Sequence, residues 1–497
     1  MQCIRNKIKA NSNTFDFHCV RFQITFDLQG NICWHALKMA IKINRKLTAK
    51  KLLPKLERLF KFSGQKILSI EKNWRASKGT PVFTEKGQYT TRGWTEWTQG
   101  FQFGSAILQF DATGDDRFLN IGRKGTLKNM ASHVSHIGVH DHGFNNVSTY
   151  GNLRRLMREG KIAYDSREMD FYELALKVSG AVQASRWTSI PDGGYIYSFN
   201  GPHSLFIDTI RTLRVLALGY QLGHSLMGEK DRKISLLDRL VHHAQVTADY
   251  SVYYGEDRDH YDTLGRTAHE SIFNLNDGSY RCPNSQQGYS PFSTWTRGLA
   301  WAICGFSEQL EFFMTLKDAE LKRLGGRKKI NAVLLKAARA TADFYIKNSC
   351  IDGIPVWDTG AANIHCMGDY LAGRSNPNNN FEPFDSSAAT IAAQGLIRLG
   401  NYLVNSGEKA VGSKYRQAGL TVAETLFSEP YLSTSTKHQG LILHSIYHRP
   451  NGWDYIPRGK KIPCGESSMW GDYHARELAL MLLREVRGEC YLAFFDY

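Results

Sequence analysis

Amphipathic helical periodicity recurs along most of this chain and constrains its fold more than any other feature. Apolar residues repeat at intervals of three and four in the long segments 301–316, 332–347, 386–404 and 473–484. This spacing places the apolar side chains on one face of a helix. Alternating, strand-like patterns are scarce. The sequence therefore predicts an all-α fold.

Short turns separate the helical segments at regular distances. Asp-Gly pairs begin at positions 192, 277 and 352, which are 85 and 75 residues apart. Asp-Gly favours tight turns, and each interval has room for two helices and their loops. The spacing indicates repeated helical hairpins, and a closed ring of hairpins would gather the loops and a binding site at one rim. A non-repeating helical bundle is the alternative.

Positive charge is concentrated at the N-terminus. The chain has 497 residues and a formal net charge of +15, and residues 1–78 hold 17 Lys and Arg against 4 Asp and Glu. A nucleic-acid-binding domain would spread this charge over a folded face. We therefore expect no nucleic-acid partner, and we predict a basic, poorly ordered arm over residues 1–50 before a single domain over residues 51–497.

Several classes of protein lack their sequence signatures here. No run of about 18 uncharged apolar residues occurs, so we predict no membrane segment. The nine cysteines form no CxxC pair, and the common motifs for hydride transfer, nucleotide hydrolysis and zinc hydrolysis are absent. The N-terminus shows no apolar leader, which indicates a cytoplasmic protein, or a periplasmic one if the natural N-terminus differs.

Two carboxylates are candidates for acid–base chemistry. Asp141 lies between two histidines, and Asp208 lies within a largely apolar stretch. An apolar setting should raise the pKa of Asp208, as a general acid at neutral pH requires. The alternatives are a loop or cap role for Asp141, and a helix cap or an ion pair with Arg211 or Arg214 for Asp208.

A second group of residues has the chemistry of a carbohydrate cleft. Aromatic rings stack on sugars, Arg grips carboxylates, and His and Gln bind hydroxyls. The alternative is that the tryptophans belong to the core and that the arginine is a surface charge. The candidate substrate-binding residues are Trp97, His269, Gln287, Arg297 and Trp301.

An ordered set of motifs resembles glycoside hydrolase family 88, the unsaturated glucuronyl hydrolases. The motifs are G-W-T-E-W-T-Q-G-F at 93–101, V-H-D-H-G-F at 139–144, F-I-D-T at 206–209, Q-G-Y-S at 287–290, S-T-W-T-R-G-L-A-W at 293–301, D-S-S-A-A at 385–389 and W-G-D-Y at 470–473. The resemblance covers residues 90 to 486. It implies an (α/α)6 barrel and removal of a 4,5-unsaturated uronate by hydration of its C4=C5 bond, without a metal or an organic cofactor.

The resemblance also implies roles for individual residues. Asp208 is similar to the general acid/base of the family, and Asp141 to the partner carboxylate that holds substrate and keeps the proton on Asp208. Trp97 resembles the stacking aromatic, and His269, Gln287, Arg297 and Trp301 resemble the other pocket residues. The chain departs from the family at 291–292, where Pro-Phe replaces a common Asp-Asp.

The expected partner is an unsaturated uronic-acid oligosaccharide, with or without sulfate, bound by a monomer or a dimer. Three other functions are alternatives. They are the hydrolysis of unsaturated rhamnogalacturonides, as in family 105, the hydrolysis of saturated glucuronides, and sugar binding without catalysis. A nucleic-acid binder would rest on the basic arm alone.

Overall fold

A computed structural model describes residues 16–17, 20–26, 32–36, 40–93 and 96–495 of the chain. Half of the arm predicted over residues 1–50 lies outside the described residues, and so do Trp94 and Thr95 of the first family motif. The predicted boundary between arm and domain stays a prediction.

The described residues form mainly α-helices. They are α1 (Ala49–Asn73), α2 (Gln99–Thr113), α3 (Asp116–Asn129), α4 (Ala131–Val134), α5 (His142–Asn146), α6 (Asn152–Arg158), α7 (Ser166–Ser185), α8 (Thr209–Thr212), α9 (Arg214–Gln221), α10 (Leu236–Ser251), α11 (Thr296–Met314), α12 (Asp318–Leu321), α13 (Arg327–Asn348), α14 (Ser386–Asn405), α15 (Lys409–Leu426) and α16 (Met469–Arg487). A π-turn, Val147–Gly151, joins α5 to α6.

Short antiparallel strands connect the helices. They are β1 (Asp16–Phe17), β2 (Val20–Phe26), β3 (Ile32–Ala36), β4 (Phe83–Glu85), β5 (Gln88–Thr90), β6 (Trp187–Ile190), β7 (Gly193–Ile196), β8 (Ser204–Phe206), β9 (Ser225–Met227), β10 (Lys233–Ser235), β11 (Glu270–Phe273) and β12 (Tyr280–Asn284). The sheet orders are β1-β2-β3, β4-β5, β6-β7, β10-β9 and β12-β11-β8.

Six helical units form a closed inner ring. In order around the ring they are α2, α5–α6, α8–α9, α11, α14 and α16, and α16 packs against α2 to close it. Helices α1, α3, α7, α10, α13 and α15 alternate with them in sequence and pack outside. This arrangement is an (α/α)6 barrel, and it confirms the predicted fold class.

Burial explains which helices lie inside. Inner helix α11 is buried along its length from Thr296 to Phe313. Outer helix α1 buries one stripe, which includes Leu52, Leu56 and Leu59, and turns residues such as Lys50, Lys51 and Lys61 toward solvent. Helix α11 thus lies inside the barrel, where ion pairs such as Arg211–Glu308 accommodate its few charges, whereas an amphipathic helix such as α1 covers the core.

The three Asp-Gly turns occupy equivalent places in the barrel. They follow the outer helices α7, α10 and α13, and each belongs to the connection that leads to the next inner helix. The first two turns join β6 to β7 and β11 to β12. These connections run to the N-terminal ends of inner helices, so the loops meet at one rim, as the hairpin prediction requires.

The barrel core includes residues before α1. Ile41 and Leu47 are buried in the main core, and the Ile41 amide donates to the carbonyl of Ile346 over 3.2 Å. Residues 41–48 thus contact the barrel, although the sequence assigns them to the arm. Among the described residues, every helix is too short or too polar to cross a membrane.

Candidate active site

A pocket of about 140 Å³ opens at the N-terminal ends of the inner helices. Aromatic rings form most of its wall, and carboxylate, imidazole and carboxamide groups face into it. The lining residues are Trp97, His140, Asp141, Phe144, Phe199, Phe206, Asp208, Gln286, Gln287, Trp295, Arg297, Trp301, Tyr447, His448, Asn451 and Trp453. Six of the seven predicted site residues are among them, and His269 lies behind the wall.

One imidazole joins the two candidate carboxylates. His140 Nε2 donates to Asp208 Oδ1 over 3.1 Å and lies 3.9 Å from Asp141 Oδ1. The exposed fractions are 2% for His140, 7% for Asp208 and 8% for Asp141. Both acids are therefore largely shielded from water and are electrostatically coupled through His140.

A close contact between two inner helices brings these acids together. A Cβ added at Gly143 would lie 2.1 Å from the carbonyl oxygen of Thr212. Only glycine fits there, so α5 can approach α8 closely. Asp141 lies directly before α5, and Asp208 lies directly before α8. The close packing of these two helices therefore sets the distance between the two acids.

The two acids stand at the N-terminal cap positions of α5 and α8, but their side chains do not cap these helices. Neither Asp141 nor Asp208 makes a side-chain cap hydrogen bond to its helix. Arg211 pairs instead with Glu308 and Glu477 in the barrel interior. Arg214 lies 3.6 Å from Glu477. The Asp208 side chain therefore neither caps the helix nor forms the ion pair that local sequence allows.

The predicted pKa of Asp208 was wrong in direction. Burial raises the pKa of a carboxyl group, but the hydrogen bond and charge of His140, together with the charge of Arg297, outweigh it. The pKa of Asp208 is therefore lowered, and the free protein holds this group ionised. The apolar sequence around Asp208 carries no sign of these partners, which come from elsewhere in the chain.

The pKa values of Asp141 and His140, the two neighbours of Asp208, are both raised. Burial raises the pKa of Asp141, and the charge of Asp208 adds to the effect, against the opposing charge of His140. Burial lowers the pKa of His140, but the two carboxylates outweigh it and raise this pKa above its usual value. The environment thus separates the proton affinities of the two acids.

His269 is held as a neutral hydrogen-bond donor. Its Nδ1 accepts from the backbone amides of Gln286 and Gln287, at 3.0 and 3.2 Å. The proton must therefore be on Nε2. Burial lowers the pKa of His269 to about 4. Its ring packs between Phe206 and Trp295, with centroids 4.6 Å from each.

Arg297 is engaged by the protein itself. Its guanidinium donates to the carbonyls of Ile446 and Tyr447 and to Gln287 Oε1, the last over 2.6 Å. It lies 3.5 Å from an Asp385 carboxylate oxygen. It therefore orients Gln287 and the loop after residue 445, rather than presenting an open fork to a ligand.

The candidate tryptophans combine core and pocket roles. Trp97 stacks on Trp470 with centroids 5.1 Å apart and an interplanar angle of 28°. Trp301 is almost fully buried and packs on Phe144 at 4.7 Å. Each ring also lines the pocket, so a place in the core does not prevent either residue from contacting a ligand, and the binding role stays a prediction.

Sequence reasoning missed the loop that closes one side of the pocket. Tyr447, His448, Asn451 and Trp453 come from it. The buried carboxylate of Asp454 accepts the amides of Tyr447 and His448, at 2.5 and 3.1 Å, and fixes the loop. The cluster of His, Asn and Trp within seven residues was an available signal, but it has no periodicity.

The sequence analysis did not predict Phe199, Phe206 or Gln286 as substrate-binding residues, although Phe206 lies in the F-I-D-T motif and Gln286 stands beside Gln287. Each lines the pocket from a loop or strand outside the inner helices. At the departure from the family motif, Phe292 stacks on Tyr261 with centroids 4.4 Å apart. Both of these rings are exposed beside the Gln287 loop.

In the described part of the chain, no group of three His, Cys, Asp or Glu residues is placed to hold a metal ion.

Known proteins were compared with the chain. No family model matches it. An unsaturated glucuronyl hydrolase of Formosa agariphila is 24% identical over 387 residues, covering 77% of this chain and 78% of the relative. One from a Bacillus species is 25% identical over 418 residues, covering 81% and 90%.

A solved structure gives the same relationship at the level of the fold. It is an unsaturated glucuronyl hydrolase specific for heparin, with a TM-score of 0.65, 19% sequence identity, and coverage of 88% of this chain and 98% of that one. Its likeness confirms the barrel architecture. In sequence the chain is similar to unsaturated glucuronyl hydrolases, and it shares the barrel fold of the solved one.

Proposed function

We propose that this protein removes the 4,5-unsaturated glucuronyl residue from the non-reducing end of oligosaccharides made by polysaccharide lyases. The observation that carries the proposal is the pair of buried acids, Asp141 and Asp208, joined by His140 in an aromatic pocket. Hydration of an enol ether begins with transfer of a proton to carbon. It needs a carboxyl group that is placed against that carbon and shielded from bulk water, and it needs no metal.

The reaction proceeds by hydration of the C4=C5 bond. Asp208 gives a proton to C4, and positive charge develops at C5 and the ring oxygen. Water then adds to C5 while the Asp208 carboxylate accepts its proton, so the acid is regenerated. The resulting hemiketal opens and releases the rest of the oligosaccharide. Asp141 holds the sugar and shares the proton of the site.

Substrate binding favours the protonated form of Asp208. Asp208 is ionised in the free protein, whereas a general acid must be protonated. The uronate brings its own negative charge into the pocket, and a nearby like charge raises the pKa of a carboxyl group. The same sugar displaces water from a site already walled by aromatic rings, which strengthens this effect.

The remaining pocket groups fit recognition of an acidic sugar. Arg297 holds the Oε1 end of Gln287, so the Nε2 amide is the end that can donate to a substrate oxygen. His269, behind the wall, fixes the backbone of Gln286 and Gln287 through its Nδ1 and so holds both side chains at the pocket. Trp97 and Phe199 offer apolar faces for the ring and for the next sugar.

The loop that carries Asn451 and Trp453 supports an anionic group on the next sugar. It also contains Arg449, Arg458, Lys460 and Lys461. Its one acid, Asp454, is buried and accepts backbone amides. The loop beside the pocket therefore carries a net positive charge, which favours sulfated or otherwise acidic fragments through long-range attraction.

The test follows the ultraviolet absorbance of the conjugated C4=C5 bond. The panel contains sulfated and unsulfated unsaturated uronyl-hexosamines, an unsaturated rhamnogalacturonide and a saturated glucuronide. We expect the absorbance of an unsaturated uronyl-hexosamine to disappear with wild-type protein. Asp208→Asn, with an unchanged circular dichroism spectrum, should lose at least about 10²-fold in kcat.

Each other outcome contradicts a defined part of the proposal. Turnover of the saturated glucuronide alone would replace hydration with ordinary glycoside hydrolysis. Preference for the rhamnogalacturonide would move the activity to the family-105 type. Wild-type turnover by Asp208→Asn would remove Asp208 from the mechanism, and a folded protein inactive on the whole panel would overturn the function.

A further inference from the structure

His140 occupies a position that the proposed reaction has not yet used. Its Nε2 is the one nitrogen that reaches both carboxylates, at 3.1 Å from Asp208 and 3.9 Å from Asp141. Its Nδ1 has no hydrogen-bond partner among the described residues, although the ring is almost fully buried. The polar contacts of the His140 side chain are therefore those with Asp208 and Asp141.

Aromatic rings isolate this imidazole from bulk water. Phe199 stacks nearly parallel to it, with centroids 6.4 Å apart and an angle of 13°, and Phe206 meets it edge-on at 5.6 Å. A proton that Asp208 gains therefore comes most directly from His140, because Nε2 is the nearest nitrogen and water has restricted access.

The other charged and titratable groups around His140 do not compete for this proton. Arg186 donates to the carbonyls of Ile137, Tyr197 and Ser198 and lowers the pKa of His140 only slightly against the two acids. Burial keeps His243 neutral, with a pKa lowered to about 3, and its Nδ1 accepts the amide of Ile196.

The titratable and charged groups on the far side of Asp208 also have other hydrogen-bond partners and do not supply its proton. His269 is neutral and takes two backbone amides on Nδ1. Arg297 is a permanent cation held by backbone carbonyls. Within the described residues, Asp141, His140 and Asp208 are thus the groups that can exchange a proton at this site.

We propose that His140 is a positioning residue that stores the proton of the site between Asp141 and Asp208 and passes it to Asp208 when a uronate binds. This inference rests on the proposed function, since it identifies the source of the proton that the reaction consumes.

The step balances without any added reactant. The Nε2–H bond of the imidazolium breaks and an O–H bond forms at Asp208 Oδ1, so the pair goes from cation and anion to two neutral groups. Asp208 then protonates C4, recovers a proton from the water that adds to C5, and returns it to Nε2 when the product leaves. His140 ends each cycle as it began.

The test replaces His140 by glutamine, which can donate to Asp208 but cannot titrate. His142→Gln is the matched control, because His142 is a buried imidazole two residues away that binds Ser179 Oγ and the His136 carbonyl instead of the acids. Both variants are assayed for kcat and KM across pH on the best substrate of the panel, after their unfolding midpoints are recorded.

We expect His140→Gln to lower kcat by about 10²-fold with KM changed less than about threefold. The basic limb of the pH profile should also move to lower pH by about one unit or more, since the carboxyl groups alone hold the proton less tightly than the imidazolium does. His142→Gln should keep the wild-type limb. A loss of kcat with an unshifted limb would make His140 merely structural and overturn the proposal.

A second measurement does not depend on turnover, and either of two variants can assign its signal. Wild-type protein with 15N-labelled histidine is titrated by nuclear magnetic resonance. One imidazole, assigned to His140 by its absence from His140→Gln or from His140→Asn, should keep its proton above the usual histidine range. A normal or lowered titration would overturn proton storage even if the enzyme is active, whereas inactivity on the panel alone would overturn the proposed function.

Discussion

Gly143→Ala should damage the site without removing any of its functional groups. The added Cβ would lie 2.1 Å from the carbonyl oxygen of Thr212 and 2.6 Å from its Cα, and both are backbone atoms that cannot rotate away. Helix α5 must therefore move off α8. Overpacking of this kind costs about 1–3 kcal/mol of the free energy of unfolding. The shift also separates Asp141 from Asp208, and a displacement of about 1 Å can cost roughly 10²-fold in rate.

The matched control is Gly219→Ala in α9, whose added Cβ meets the terminal Cδ1 of Leu236 at 2.8 Å. A methyl group at the end of a flexible side chain can give way, and alanine favours a helix by up to about 1 kcal/mol over glycine. Urea unfolding and kcat/KM are measured for both variants. If Gly143→Ala keeps wild-type stability and rate, close approach of α5 and α8 is not what sets the geometry of the acids.

Two further predictions follow from other buried groups. Arg297→Lys should lower kcat/KM at least about tenfold, because lysine cannot hold two carbonyls and the Gln287 amide oxygen together. Unchanged kinetics would show that this clamp is dispensable. Burial lowers the pKa of His474 and of His243 to about 3, so these groups bind protons in the unfolded chain below pH 6.5 but not in the folded one. The free energy of unfolding should therefore fall as pH drops from 6.5 to 4, by about 1.4 kcal/mol per pH unit for each such histidine. His243→Gln should reduce that slope by the contribution of one histidine. If urea titrations give the variant the same slope as the wild type, the argument is contradicted.

Local pattern was sufficient for the helices. The periodic segments 301–316, 332–347, 386–404 and 473–484 all lie in α11, α13, α14 and α16, within two residues at their ends. The structure extends α11 and α16 upstream through Thr296 and Met469, where the motif residues interrupt the apolar repeat. Residues such as Arg297 and Asp472 place polar side chains where the apolar repeat would continue, so the start of each helix is harder to recognise from the pattern.

The electrostatics of the site could not be predicted in the same way. The partners that lower the pKa of Asp208 lie far away in sequence, with His140 separated from it by 68 residues. The carbonyls that occupy Arg297 are 149 and 150 residues from it. Periodicity reports which face of an element is apolar, and it carries no information on what another element places opposite that face.

The sequence by itself determined the helical segments and indicated repeated hairpins, and the resemblance of its motifs implied a barrel whose loops gather at one rim. It also determined which residues could do acid–base chemistry, through motifs in a fixed order. Tertiary structure alone decided which of those groups touch. A pKa depends on charges within a few ångströms and on burial, and both exist only after distant segments have packed around the same pocket.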